Sequence, residues 1–220
     1  MKKKNNNKKI MKMLKEKNIT VSMGNRSGMS FSNDPIRLTF TLSRYKFVAK
    51  MFEGFKDVLE VGAGDGFKSP IVGQMCKNLT LCDVEKNNYH EFQRIKIKNY
   101  KYILNDFTKK KIQKKFDGIY LLDVFEHIEK KKENIFMKNI KKSLHKHGTL
   151  IVGMPTIDSQ KYASKWSKIG HVNCKSKKQL RDFMRRHFNN VYLFSMNDEV
   201  LHTGFDQMSH YIFSIANSKK

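Results

Sequence analysis

A chain of 220 residues with 39% hydrophobic content has material for one domain and one sizeable core. Its 44 lysines and arginines against 20 acidic residues give a formal charge of +24, which would draw in any polyanion; lysine greatly outnumbers arginine, however, and specific phosphate and base readers lean on arginine's planar fork, so solvated lysine faces are the leading account of the charge. No apolar run approaches the ~20 residues that cross a bilayer, and the first residues hold no apolar signal core, so a cytoplasmic protein without a membrane span is expected.

Residues 1–9 are lysine and asparagine with almost nothing apolar, and this composition predicts a disordered basic tail. A single domain is expected over 10–220, with residues 10–53 as a leading helical segment. In that segment Ile10, Met13 and Leu14 suggest a short helix, the Gly, Ser and Asn cluster from Ser22 to Asn33 a loop, and Asp34-Pro35 the cap and first turn of a helix over Ile36–Phe52.

The next stretch, Asp57-Val58-Leu59-Glu60-Val61-Gly62-Ala63-Gly64-Asp65-Gly66, reads as a buried strand that stops at three closely spaced glycines. Glycine permits backbone angles closed to other residues and lets a ligand lie against the main chain. A helix over Lys68–Lys77 would then point its first amides into the same crevice. The spacing lacks the further residue of G-x-G-x-x-G. Glu60, two residues before the first glycine, would repel a pyrophosphate and suits a cationic ligand.

A second strand, Leu79–Val84, ends at Asp83, about 20 residues after Gly62, where a strand-end acid accepts from ribose hydroxyls in nucleotide-binding folds. Glu85 competes for that task, and capping of the next helix is the lesser alternative for Asp83. A third strand, Tyr102–Leu104, runs into Asn105-Asp106-Phe107. A fourth, within Phe116-Asp117-Gly118-Ile119-Tyr120-Leu121-Leu122, delivers Asp123, Glu126 and His127 to its carboxyl end, the edge where parallel sheets bind ligands. An amphipathic helix follows over Glu129–His145, then a strand over Thr149–Gly153. Strands at Val191–Met196 and Tyr211–Ala216 are joined by too little chain for a crossover and should pair antiparallel. The alternation predicts a doubly wound α/β fold, a mostly parallel seven-stranded sheet closed by a C-terminal antiparallel hairpin.

These motifs, in this order, resemble the class I S-adenosylmethionine-dependent methyltransferases over roughly Phe47 to Phe188. The resemblance implies that Glu60, Gly62, Ala63, Gly64, Asp65, Gly66, Asp83 and Asp123 bind S-adenosyl-L-methionine. It also places Asp106 at the adenine's exocyclic amine, with Phe107 as a backbone donor or an apolar wall. Arg44 or Tyr45 of the leading helix could meet the cofactor's carboxylate, although packing roles are the commoner use of such residues. Asp123-Val124-Phe125-Glu126-His127 is similar to the fourth motif of the branch that methylates small molecules, quinones and sugars. The Asp/Asn-Pro-Pro-Tyr/Phe tetrapeptide of the exocyclic-amine methyltransferases of nucleic acids is absent.

Methyl transfer from a sulfonium needs an acceptor in line and, for a hydroxyl, a group that takes its proton. Two histidines are placed for this by topology: His127 after the fourth strand, and His171 in Gly170-His171-Val172-Asn173. Hydrogen bonding to strand ends is their alternative role. Tyr162, Trp166 and His202 could line an acceptor pocket formed by loops 154–170 and 198–209. Cys76, Cys82 and Cys174 show no C-x-x-C spacing and are expected as buried free thiols; no metal site is expected. The reading is an enzyme methylating a small-molecule or sugar acceptor, at a hydroxyl oxygen, with a nitrogen or carbon acceptor nearly as admissible. RNA or DNA as acceptor, through the basic surface, and a catalytically silent cofactor-binding partner subunit are the alternatives.

Overall fold

The structure, a computed structural model, describes residues 2–17, 21–95, 97 and 100–220. Its elements are α1 (Lys2–Lys17), α2 (Asn25–Asn33), α3 (Pro35–Met51), β1 (Asp57–Val61), α4 (Pro70–Gly73), β2 (Asn78–Asp83), α5 (Lys86–Ile95), β3 (Lys101–Leu104), β4 (Phe116–Leu122), α6 (Glu133–Ser143), β5 (Leu144–Pro155), α7 (Lys165–Gly170), α8 (Lys177–Arg185), β6 (Phe188–Asn197), β7 (Val200–His202) and β8 (Tyr211–Lys219). They form one eight-stranded sheet in the order β3-β2-β1-β4-β5-β8-β6-β7. The first five are mutually parallel, and β8, β6 and β7 close the sheet antiparallel. The doubly wound fold with its terminal hairpin is thus observed, with one strand more than expected: β7 pairs with β6 inside the segment read as a loop over 198–209.

Alternation along the strands divides the core in two. Leu59 and Val61 of β1, Ile119 and Leu121 of β4 and Leu150, Val152 and Met154 of β5 face one side, where they meet Phe136, Met137 and Ile140 of α6 and Leu180, Phe183 and Met184 of α8. Val58, Tyr120, Leu122, Ile151 and Phe213 face the other, against Tyr45, Val48, Ala49 and Phe52 of α3. This is the period of two expected of strands buried on both faces, and each fully buried Leu, Ile or Phe contributes about 1.5–3 kcal/mol. The apolar positions of α3 fall at helical spacing on one stripe, and Asp34 accepts from the Arg37 amide to start it. A capping box of Ser176 and Gln179 starts α8.

Several helices depart from the sequence reading. Where a tail up to Lys9 is expected, α1 runs as one helix, with its side chains from residue 6 onward exposed; lysine is a fair helix former, so local propensity outweighs the lack of a buried face. The polar stretch read as a loop contains α2, which rests on tertiary caps: the Ser27 amide donates to Asp65 and the Asn25 amide to Glu91. The helix expected after the glycines shrinks to the single turn of α4, where Pro70 lacks an amide, so no long helix aims its dipole at the turn. The helix expected over Glu129–His145 becomes a 3-10 turn at Lys130–Lys132, then α6, and the chain enters β5 at Leu144. No helix among the described residues is long and apolar enough to cross a membrane.

Candidate active site

The carboxyl ends of β1, β2 and β4 meet along one edge of the sheet, and the residues singled out from the sequence sit there in three different ways. The glycine turn is the first. Gly62, Gly64 and Gly66 all hold positive φ (+78°, +59° and +75°), the left-handed region that disfavours other residues. A Cβ on Gly62 would lie 2.2 Å from Val124 Cγ2, and one on Gly66 3.0 Å from Phe92, so these two glycines serve close packing. Around the position that a Cβ on Gly64 would take, nothing comes within 4 Å: this is the point where the turn is open to a ligand. Ala63 is buried, and its amide donates to the Cys82 carbonyl.

The acids are the second group, and each is already held by protein groups. Glu60 is buried; its Oε1 accepts from Tyr45 Oη at 2.8 Å, and its Oε2 from Ser69 Oγ at 2.5 Å and Tyr120 Oη at 2.8 Å. Burial raises its carboxyl pKa, and the three hydroxyls pull it back down. Glu60 therefore ties α3, the glycine turn and β4 together, an arrangement that no local spacing announces. Asp65 accepts from the amide and hydroxyl of Ser27 and from the Phe67 amide, which seats α2 on the turn. Asp83 accepts from the Gly64 amide at 2.9 Å and the Glu85 amide at 2.9 Å, so it fixes the open glycine from behind.

Asp106 closes a local turn onto the amide and hydroxyl of Thr108, and these bonds lower its pKa against the opposing effect of burial. The Phe107 ring is buried against Phe136, so its side chain belongs to the core and is no exposed wall. Asp123 sits at φ +57°, a strained angle for a non-glycine residue, and both its oxygens receive Arg44 Nη1, at 3.1 and 3.0 Å. The Arg44 guanidinium lies 3.7 Å from the Tyr211 ring centroid, packed over that ring. Arg44 and Tyr45 are thus both engaged with protein groups, Asp123 and Glu60 respectively.

The histidines form the third group. His127 and His171 come together with ring centroids 5.1 Å apart, edge to face. His127 donates from Nδ1 to the Gly170 carbonyl at 2.8 Å, and His171 from Nδ1 to Gln160 Oε1 at 2.7 Å. Desolvation, and then the neighbouring His127, lower the His171 pKa, which keeps its ring neutral around pH 7. Beneath them lies Glu126, with no exposed surface; its pKa is well raised, first by burial and then by Asp123. The loop that carries His171 is fastened on its C-terminal side. The amides of Val172 and Asn173 donate to the Glu126 carbonyl, and Lys175 forms a buried ion pair with Glu133 at 2.7 Å.

Tyr162 and Trp166, expected as pocket walls, are instead 81% and 84% exposed, alongside exposed Ile169 and Val172. His202 bonds to Asn197 at 2.8 Å, which pins the β6–β7 turn. Of the thiols only Cys82 is fully buried, Cys76 and Cys174 being partly so. Sequence spacing could not reveal Ser27, Ser69, Tyr120, Gln160 or Lys175, because each reaches the site through a tertiary contact.

Residues 59–152 match the family described as a methyltransferase domain. No curated protein sequence matches the chain. Among solved structures, the methyltransferase domain of bacterial CtHen1-C superposes with a TM-score of 0.66 at 14% identity, over 81% of this chain and 98% of that one. N-methyltransferase NodS from Bradyrhizobium japonicum WM9, in complex with S-adenosyl-L-homocysteine, gives 0.62 at 16% identity, over 85% and 89%. The plantazolicin methyltransferase BpumL, also in complex with S-adenosyl-L-homocysteine, gives 0.64 at 13% identity, over 87% and 89%. At these identities the likeness is one of fold, and the match to a methyltransferase domain is confined to residues 59–152. The matched segment spans the glycine turn and the strand ends from which a methyltransferase domain was expected.

Proposed function

We propose that this methyltransferase holds S-adenosylmethionine against the glycine turn and directs the methyl group to a hydroxyl oxygen of a small molecule or sugar, presented at the His127–His171 corner. The observation that carries the reading is the open face of Gly64, fixed from behind by Asp83, on the same sheet edge as two imidazoles whose Nδ1 atoms are already committed. The bound cofactor supplies an electrophilic methyl on a sulfonium. The protein's part is to position and to move one proton. Gly64 allows the cofactor to approach the main chain, and Asp83 stands at the end of β2, where an acid meets ribose hydroxyls. The resemblance assigns Asp106 and the Phe107 amide to the adenine. Arg44, bonded to Asp123 at this edge, is the leading-helix cation assigned to the cofactor's carboxylate.

His171 Nε2 is the nitrogen left to accept the acceptor's proton, since Nδ1 donates to Gln160. His127 stands as its neighbour in the same role. The exposed side chains of Tyr162, Trp166 and Ile169 offer an acceptor an apolar surface on the segment that leads into His171. Large exposed aromatic and aliphatic groups suit a ring or sugar face better than a phosphate backbone does.

Calorimetry with S-adenosylmethionine tests the cofactor half. The native chain should bind, and Gly64→Ala should bind at least about tenfold more weakly with the fold retained, since the added methyl meets no protein atom and a left-handed alanine costs only about 1–2 kcal/mol. A folded native chain that gives no heat with S-adenosylmethionine or its demethylated product would defeat the reading. For the acceptor half, label transfer to a panel of hydroxyl and amine compounds is run with oligonucleotide competitors. Tight, steeply salt-dependent inhibition by the oligonucleotides would move the assignment to RNA or DNA, and cofactor binding without any transfer would move it to a silent partner subunit.

A further inference from the structure

The geometry points to a divalent transition-metal site formed by Glu126, His127 and His171, an assignment that goes beyond the methyl-transfer reading and replaces the expectation of no metal. One carboxylate oxygen of Glu126 and one nitrogen of each imidazole lie within 4.8 Å of one another, and Glu126 Oε1 is 4.0 Å from His127 Nε2. Three groups from two separate segments converge on one point.

The carboxylate supplies an independent reason. Glu126 has no exposed surface, and neither of its oxygens has a hydrogen-bond partner among the described residues, although buried carboxylates are almost always paired. Arg44, whose charge acts on it, is instead bonded to Asp123. A buried acid without a donor, facing two imidazoles, is an acceptor set that lacks its cation.

The imidazoles are prepared in the way metal ligands are. Each donates its Nδ1 proton to a carbonyl oxygen, His127 to Gly170 and His171 to Gln160, and this leaves both Nε2 lone pairs free. Such an outer bond fixes the tautomer and strengthens the nitrogen as a ligand. The second segment is also held in register: the Glu126 carbonyl accepts from the Val172 and Asn173 amides, so His171 cannot drift from the turn that carries Glu126 and His127. The positions tolerate little change, since a Cβ on Gly170 would already lie 3.2 Å from the His127 ring.

Two imidazoles and one carboxylate suit Mn²⁺, Fe²⁺, Co²⁺ or Zn²⁺ better than Mg²⁺ or Ca²⁺, which prefer oxygen. Three protein ligands leave coordination positions open, and the half-exposed side of His127 faces the surface where an acceptor would arrive. With an ion bound, both Nε2 atoms would be its ligands and the base role given to His171 above would pass to the ion, which would lower the pKa of a coordinated acceptor hydroxyl so that its proton leaves to solvent.

The full chain, stripped with chelator and dialysed, is titrated with Co²⁺ while visible absorption is recorded, and with Mn²⁺ and Zn²⁺ by calorimetry. One ion per chain is expected. His171→Ala and His127→Ala should each weaken binding about 100-fold with unchanged far-ultraviolet circular dichroism, and Gln160→Ala, which removes the outer bond to His171 along with bonds to Thr156 and Ser159, about tenfold. Glu126→Gln, close in shape, should lose the ion while folding as before. Native protein that takes up no Co²⁺, Mn²⁺ or Zn²⁺, or uptake that is unaltered in folded His127→Ala and His171→Ala, would overturn the assignment. The readout needs neither cofactor nor acceptor, so a failure of the methyl-transfer reading leaves this result to be judged on its own.

Discussion

Removing single hydroxyls around Glu60 should separate the two oxygens of its carboxylate. Oε1 has one described donor, Tyr45, whereas Oε2 has two, Ser69 and Tyr120. Tyr45→Phe leaves Oε1 buried without a donor and should cost about 3 kcal/mol, near the top of the range for bonds to charged groups; Tyr120→Phe leaves Ser69 in place and should cost about 1.5 kcal/mol. At about 2–4 °C per kcal/mol for a chain of this size, the melting temperature should fall roughly twice as far in the first variant. The deficit should also depend on pH. Burial already raises the Glu60 pKa above its ordinary value, and losing a donor raises it further. A carboxyl raised in the folded state is stable below its unfolded pKa and loses stability as pH rises through its folded one, so Tyr45→Phe should fall further behind the native chain as pH increases from 5 to 8. Urea unfolding followed by circular dichroism at those two pH values measures both effects. Equal costs in the two variants, or a cost for Tyr45→Phe below about 0.5 kcal/mol, would refute the claim that these hydroxyls hold the carboxylate.

Two further outcomes follow from contacts away from the chemistry. Asp65→Ala removes the cap of α2 and should lower the local opening energy of that helix by about 1–2 kcal/mol; amide exchange at Ser27 reads this directly, and unchanged protection there would show that α2 is held by something else. His187 has its pKa lowered to about 4, first by desolvation and then by Lys141 and Arg186. Its neutral form is favoured on folding, so its contribution is complete above pH 6.5 and is lost as pH falls towards 4; His187→Gln should flatten the fall in urea midpoint across that window, and an identical slope in both proteins would contradict it.

Some of the chain could be read without coordinates because the relevant physics is local. Strand periodicity placed β1, β2 and β4 within a residue or two, and the glycine spacing after Val61 marked the turn, since only glycine holds positive φ three times in five residues at no steric cost. Asp34-Pro35 located the start of α3 in the same way, by a cap and a fixed φ. The helices whose limits failed are those with weak local signals. The α2 segment is polar and glycine-containing, and it is helical where Asp65 and Glu91 cap it from elements far along the chain.

For the site, the sequence determined which residue types reach the carboxyl edge of the sheet: Glu60, Asp83, Asp123, Glu126 and His127 each follow from strand ends. Tertiary structure alone decided what each one touches. It turned Glu60 and Asp65 into fasteners between elements, paired Asp123 with Arg44, and buried Phe107 in the core. It also brought His171 across 44 residues of chain to within ring contact of His127, with Glu126 unpartnered beneath them. Backbone preference acts over a few residues and can be summed from the sequence, whereas a buried acid's partner is fixed by which surfaces pack together, and that depends on every element at once.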